Sequence, residues 1–396
     1  PTILVRSPYG RGAMWGLIYG VPFAERGFQV VIQSCRGTFG SGGDFDPFWK
    51  DRDDGLATVR WIREQPWFSG KLAMMGASYL GYVQWAIGAE AGPDLRALSI
   101  DVSFSDVRGA MFAGGSFWLD TALTWVLLVA NQEKSLLRVM LTQARGAKLL
   151  APAMMHLPLR TSDEAAIGRA APYLRDWVDH GEPGDPWWDG ISFADKVGDV
   201  DAPVRMLGGF FDVFLPLTLE DYARLRKAGK TPYLTLGPWA HGDSGWVTVS
   251  LQETLVWFRA HLLDDTSALR EQPVRVFVIG GKERHFHDWP PPGTSAVRHH
   301  LHAGGGLSVK APGPSEPDRF RYDPADPTPA VGGSTLGPNS GSKDNRRLEK
   351  RADVLLYTSE PLAQDVEVIG PVSAELHVKS SLEHTDFFVR LCDVHP

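Results

Sequence analysis

Through the first hundred residues, short apolar runs alternate with amphipathic stretches. The runs at 2–6 (TILVR), 28–33 (FQVVIQ), 72–75 (LAMM) and 97–101 (ALSID) predict strands. Between the second and third lies DRDDGLATVRWIREQPWFSG, where Leu56, Val59 and Ile62 recur at helical spacing. Asp51, Asp53 and Asp54 open that segment, where negative charge suits a helix N-terminus, and Pro66 and Gly70 close it. Strand and helix in alternation predict a parallel α/β sheet.

The texture changes at about residue 104. Up to about 198 the chain offers helices (LDTALTWVLLVANQ, SLLRVMLTQARGAKLLA) and dense aromatics, with no clear strand. Strand and helix signals then return at 203–207, 216–228, 232–236 and 251–263. An insertion that leaves a sheet and rejoins it is expected to cap a site. Beyond about 270 come short alternating runs split by Gly, Pro and Ser: QPVRVFVIGG, AVRHHLHAGG, DVLLYTS, VEVIGPVSAELHVKS and TDFFVRLCD. These predict a β-sandwich or jelly roll, with 311–350 as one long loop. The domain reading is 1–103 and 199–268 for the α/β core, 104–198 for a helical cap and 269–396 for the β domain.

Composition narrows the function classes. The chain has 396 residues, 43% hydrophobic and 22% charged, a globular make-up with room for more than one domain. A net charge of −7 without basic blocks argues against nucleic acid or an anionic membrane surface as partner. Two cysteines, Cys35 and Cys392, make no disulfide framework and suit a reducing compartment, so a cytoplasmic location is expected. No run of 18 apolar residues predicts a membrane span. Both ends read as the inside of a sheet, so the chain is expected to be cut at both, with the β domain incomplete at its C-terminus. A homo-oligomer is left open.

The candidate chemistry starts at KLAMMGASYLGYVQWAIG, residues 71–88. Ser78 falls between a strand and a helix and is flanked by Gly76 and Gly81, the setting of a nucleophile elbow. The usual elbow reads G-x-S-x-G; here the second glycine comes one position late. From these residues alone, Ser78 is either a nucleophile or a small residue filling a tight turn. A serine nucleophile needs a histidine base and a carboxylate to orient it. Strand 203–207 runs into GGFFDVFLP and places Asp212 past its C-terminal end; strand 232–236 runs into GPWAHGDSG and places His241 likewise. Asp101 is a rival acid, also at a strand end. Asp243 shares the loop of His241 and is expected to cap it or to meet solvent, and His261 falls in a predicted helix. His285, His287, His299, His300 and His302 include His-x-His pairs, but with no cysteine beside them polar strand faces are favoured over a metal site. CRGTFGSGGDFDPF lacks G-K-[ST] and is no phosphate loop; Arg36 there is expected to pair with an acid such as Asp44. No metal or cofactor is expected.

Taken together, RSPYG, CRGTFGSGGDF, QPWFSGKLAMMGASYLGY, GGFFDVFLP and LGPWAHG closely resemble the cocaine esterase / X-Pro dipeptidyl-peptidase family of serine hydrolases, which includes the α-amino-acid ester hydrolases. The resemblance is strong over about residues 1–265 and looser beyond, and the Ser-Tyr-x-Gly elbow is that family's variant. It implies an α/β-hydrolase core, a helical cap and a C-terminal jelly roll. It implies Ser78 as nucleophile, Asp212 as acid and His241 as base. It also implies an oxyanion hole from the Tyr9 hydroxyl and the Tyr79 N–H. The substrate is then a small ester, an amide or a short peptide, cleaved through an acyl-enzyme. An esterase is favoured, with X-Pro dipeptidyl-peptidase or α-amino-acid ester hydrolase as the alternative. The residues after Ser78 are not acidic, and an ammonium clamp is not placed, though Asp120 in the cap is a candidate. Phe117, Trp118 and Trp125 are candidate pocket residues, with cap core as their competing fate. A reading from another class is a non-catalytic jelly-roll binding protein with an inactive hydrolase core; the presence of all three triad types speaks against it.

Overall fold

The computed structural model describes residues 1–337 and 339–394. The predicted apolar runs become strands, and those inside the sheet are buried on both faces, as the interior of a parallel sheet requires, while the edge strand from 28–33 is only partly covered. In β1 (Thr2–Ser7) every residue is buried. It is followed by β2 (Gln29–Ser34), β3 (Leu72–Ala77) and β4 (Leu95–Asp101). A short pair, β5 (Phe112–Ala113) and β6 (Ser116–Phe117), forms a hairpin inside the otherwise helical insertion. The sheet then resumes with β7 (Val204–Phe211), β8 (Tyr233–Ala240), β9 (Val274–Phe277) and β10 (Glu283–Phe286), in the order β10-β9-β8-β7-β4-β3-β1-β2. The neighbours from β2 to β9 run parallel.

Helices 51–63, 79–88, 215–227 and 245–263 connect these strands. Helix Tyr79–Gly88 is buried at every position, which explains its apolar sequence. Helix 245–263 packs Trp257, Phe258 and Leu262 into the cluster of Ile3, Val5, Ala73 and Met75. The insertion carries the long helices 119–131 and 136–154.

Strand β9 joins the main sheet. QPVRVFVIGG was grouped with the β domain from residue 269, but Val274–Val276 pair in parallel with Leu234–Leu236 of the main sheet. An alternating run does not reveal whether its partner is parallel or antiparallel; only the non-local pairing decides.

The chain divides into two units, residues 1–285 with 320–354, and residues 286–319 with 355 onward. In the second unit β11 (His300–His302) and β12 (Gly306–Ser308) form an antiparallel hairpin, and Gly306 bridges Thr358. Past Thr358 no further strand forms among the described residues, although two of the expected runs, VEVIGPVSAELHVKS and TDFFVRLCD, lie there. Their apolar residues stay out of any core: Val366, Val368 and Val372 are exposed, and Phe388 is 93% exposed. A strand exists only through its ladder partner, and these segments find none there.

Candidate active site

The strand order reverses at β1. The chain crosses from β1 to β2 on one side and returns to β3 on the other, with Leu4 opposite Met74. Open α/β sheets bind ligands in the crevice at such a switch point, beyond the carboxyl ends of the strands. Tyr9 follows β1 and Ser78 follows β3, so both emerge there. Asp212 follows β7 and His241 follows β8 at the same edge.

Ser78 sits at φ +59° and ψ −125°, a conformation that costs a non-glycine residue about 1–3 kcal/mol. Its surroundings hold it in place. The Ser78 N–H donates to the Asp101 carbonyl at 2.9 Å, and the Ser103 hydroxyl donates to the Ser78 carbonyl at 2.6 Å. The glycines make this turn feasible. Gly76 has φ +151°, and a Cβ there would stand 2.4 Å from Leu80 Cβ. A Cβ on Gly81 would stand 2.5 Å from both Cβ and Oγ of Ser103. The late glycine is therefore where it is needed: it admits the serine that pins the elbow.

Ser78 Oγ lies 3.0 Å from His241 Nε2, and His241 Nδ1 lies 2.7 Å from Asp212 Oδ2. Asp212 is fully buried, and its second oxygen accepts the Phe214 N–H at 2.7 Å. With Nδ1 protonated toward the carboxylate, Nε2 presents its lone pair to the serine. That chain can draw a proton off Ser78 and hold the resulting imidazolium against a buried negative charge. Phe214 also packs edge-on against the His241 ring, at 5.2 Å between centroids.

The Tyr9 hydroxyl accepts the indole N–H of Trp125 at 2.9 Å. Burial pushes its pKa up to about 12, so the phenol keeps its proton. Tyr79 occupies the first turn of the helix after Ser78, and its side chain is buried. Its hydroxyl donates to Asp51 Oδ2 at 2.5 Å and accepts the Phe48 N–H at 2.8 Å. Burial, with Asp51 alongside, raises the Tyr79 pKa well above the ordinary value.

Asp51 is what sequence reasoning missed. Three aspartates opening a helix read as a response to the helix dipole, a purely local role. Asp51 instead faces inward, where Arg6 bonds its carbonyl at 2.7 Å and its carboxylate at 3.4 Å. Both side chains are nearly inaccessible, at 1% and 6% exposure. Asp51→Ala is expected to cost about 3–5 kcal/mol, because it strands a buried guanidinium. Denaturant unfolding measures this, and a loss under about 1 kcal/mol would contradict it.

The rival groups are engaged elsewhere. Asp101 binds Arg205 and Ser250, and Asp243 caps its own turn by accepting the Ala240 N–H at 2.7 Å. His261 lies on Trp257 with ring centroids 4.1 Å apart. His285 pairs with Glu283, and His302 with Ser308 and the Lys310 carbonyl. Arg36 pairs with Asp54 rather than Asp44, because the helix start carrying Asp54 packs beside its loop. Asp120, in the first turn of its helix, accepts the Thr121 N–H through Oδ1 at 2.7 Å. Phe117 meets Phe112 in the β5–β6 hairpin at 5.4 Å. Among the described residues, no hydrogen bond or ring contact joins Phe117 or Trp118 to Ser78, Tyr9 or His241. Trp125 alone of the three aromatic candidates is brought to the crevice.

Comparison with known proteins bears on this geometry. Residues 1–243 match the X-Pro dipeptidyl-peptidase (S15 family) model, and residues 267–396 match the X-Pro dipeptidyl-peptidase C-terminal non-catalytic domain. Cocaine esterase from Rhodococcus sp. (strain MB1 Bresler) is 32% identical along the whole of this chain and 76% of its own length. Among solved structures, an α-amino acid ester hydrolase superposes with a TM-score of 0.73 at 19% identity, covering 93% of this chain and 69% of its own. An aminopeptidase from a marine sediment Thaumarchaeota archaeon gives 0.70 at 22% identity, covering 91% of this chain and 67% of its own. At such identities these two establish the α/β-hydrolase-like fold. A family model spanning more than half the chain, joined by an end-to-end likeness to a known esterase, makes this protein a serine hydrolase of the X-Pro dipeptidyl-peptidase (S15) family.

Proposed function

We propose that the protein is an esterase that cleaves small esters through an acyl-enzyme on Ser78. The observation that carries this reading is the unbroken chain Ser78–His241–Asp212, at 3.0 and 2.7 Å, at the switch-point edge of the sheet. His241 takes the serine proton as Oγ attacks the carbonyl carbon, and Asp212 steadies the imidazolium. The imidazolium then protonates the leaving alkoxide. In the second half a water attacks the acyl-enzyme and His241 again acts as base, returning the proton to Ser78. The negative oxygen of each tetrahedral intermediate falls to the Tyr9 hydroxyl and the Tyr79 N–H, two donors on opposite sides of the switch point.

The acyl or aryl group of the substrate is expected to be apolar. Phe45, Phe48, Trp125, Tyr173 and Trp177 form one connected set of ring contacts beside Tyr79. The family model's name raises X-Pro peptidase activity as the alternative, which needs a carboxylate free to hold a substrate ammonium. The aromatic character of the cap favours the ester. A panel of p-nitrophenyl esters set against X-Pro anilides decides: esters should turn over at least tenfold faster, and a preference for the anilides would reverse the assignment.

Tyr9→Phe keeps the ring and removes only the donor. It is expected to lower kcat by roughly 10²–10³, about 2.7–4 kcal/mol, with little change in KM. Because burial holds the Tyr9 pKa near about 12, the wild-type rate should show no Tyr9-dependent decline between pH 8 and 10. A falling limb near pH 10 that vanishes in Tyr9→Phe would contradict that protonated donor.

A further inference from the structure

We infer that Trp125, on the helix Leu119–Asn131 of the insertion, is a positioning residue of the oxyanion site, its indole N–H turning the Tyr9 hydroxyl proton toward the reacting carbonyl. The inference rests on the reading of Tyr9 as an oxyanion donor. A phenolic O–H prefers the plane of its ring and has two orientations there, only one of which serves a given acceptor. Indole nitrogen is a donor only. With Trp125 Nε1 at 2.9 Å, one side of the Tyr9 oxygen is filled by an incoming hydrogen, and the phenol's own proton is left the other side. Tyr9 and Ser78 follow the parallel neighbours β1 and β3 at the same edge of the sheet. Accepting a hydrogen bond also makes the phenol a better donor.

The indole is itself fixed. Its ring lies parallel to Tyr79, 1° between planes and 6.2 Å between centroids, with Tyr173 and Trp177 each 5.8 Å away. One residue past the same helix, Gln132 Nε2 donates to the Pro8 carbonyl at 3.0 Å, so the insertion grips the Tyr9 loop at a second point. A tryptophan that merely walled the pocket would need only its ring face; here the N–H points at the one hydroxyl the chemistry uses.

The test separates the N–H from the ring. Benzothienylalanine placed at position 125 by suppression is nearly the same shape and lacks the donor; Trp125→Phe is the ordinary variant. Both are measured on p-nitrophenyl acetate and on p-nitrophenyl benzoate, in the wild-type and Tyr9→Phe backgrounds. For the benzothienyl protein the expected result is a three- to tenfold loss of kcat, of the size of one hydrogen bond, with KM unchanged and the same factor for both esters. In the Tyr9→Phe background that loss should disappear. An unchanged kcat in the benzothienyl protein overturns the inference, as does an equal loss in both backgrounds or a change confined to KM and ester ranking. If Tyr9→Phe itself retains the wild-type kcat, the oxyanion reading fails and the inference falls with it.

Discussion

Ser78→Ala will lose about 10⁴–10⁶-fold in kcat/KM on p-nitrophenyl esters, the range expected when a triad nucleophile is removed. The fold will not change. Alanine and serine both carry a Cβ, so the φ of +59° is no harder for one than for the other. The hydrogen bonds that hold the elbow use the Ser78 backbone: its N–H to Asp101 and its carbonyl from Ser103. The melting temperature should therefore stay within about 2 °C of wild type. Turnover above a few per cent of wild type in a well-folded Ser78→Ala protein would remove Ser78 from the mechanism.

Replacing His241 should cost nearly as much as replacing Ser78, and the two losses should not multiply. A base is useless without the serine it deprotonates, and the serine is a weak nucleophile without its base. The Ser78→Ala, His241→Ala double variant is thus expected within about tenfold of either single. Asp212→Asn should cost about 10⁴-fold, since its role is to hold the tautomer and the imidazolium. Asp212 is fully buried and also caps the turn at Phe214, so the asparagine, which keeps the shape, tests it more cleanly than alanine. Single losses that multiply in the double would mean that the groups act separately, which the chain of contacts at 3.0 and 2.7 Å does not allow.

The core of the sheet was legible because parallel strands are buried on both faces, and TILVR and LAMM say so within a few residues. The candidate site was legible for a related reason: Ser78, Asp212 and His241 each stand just beyond the end of such a run. Their approach to hydrogen-bonding distance belongs to the topology. What could not be read was non-local. Nothing local to Asp51 distinguishes it from Asp53; the difference is that Asp51 faces Arg6 of β1. Arg36 could reach several acids, and only the packed helix brings Asp54 to it. Trp125 is a candidate pocket residue from the sequence, with Phe117 and Trp118, but a period of 3.6 does not identify the atom an indole N–H will meet. The β domain was read as a set of strands by alternation alone. Alternation marks which residues share a face but not what pairs with them, so neither the pairing of β9 with β8 nor the lack of a ladder past Thr358 can be read from it.

The central claim is that one serine carries the acyl group. Incubation with a fluorophosphonate, followed by intact-mass measurement and peptide mapping, tests it most directly. A single adduct on Ser78 is predicted, absent from Ser78→Ala and formed far more slowly in His241→Ala. An adduct on another residue, or ester turnover that persists in protein fully modified at Ser78, would contradict it.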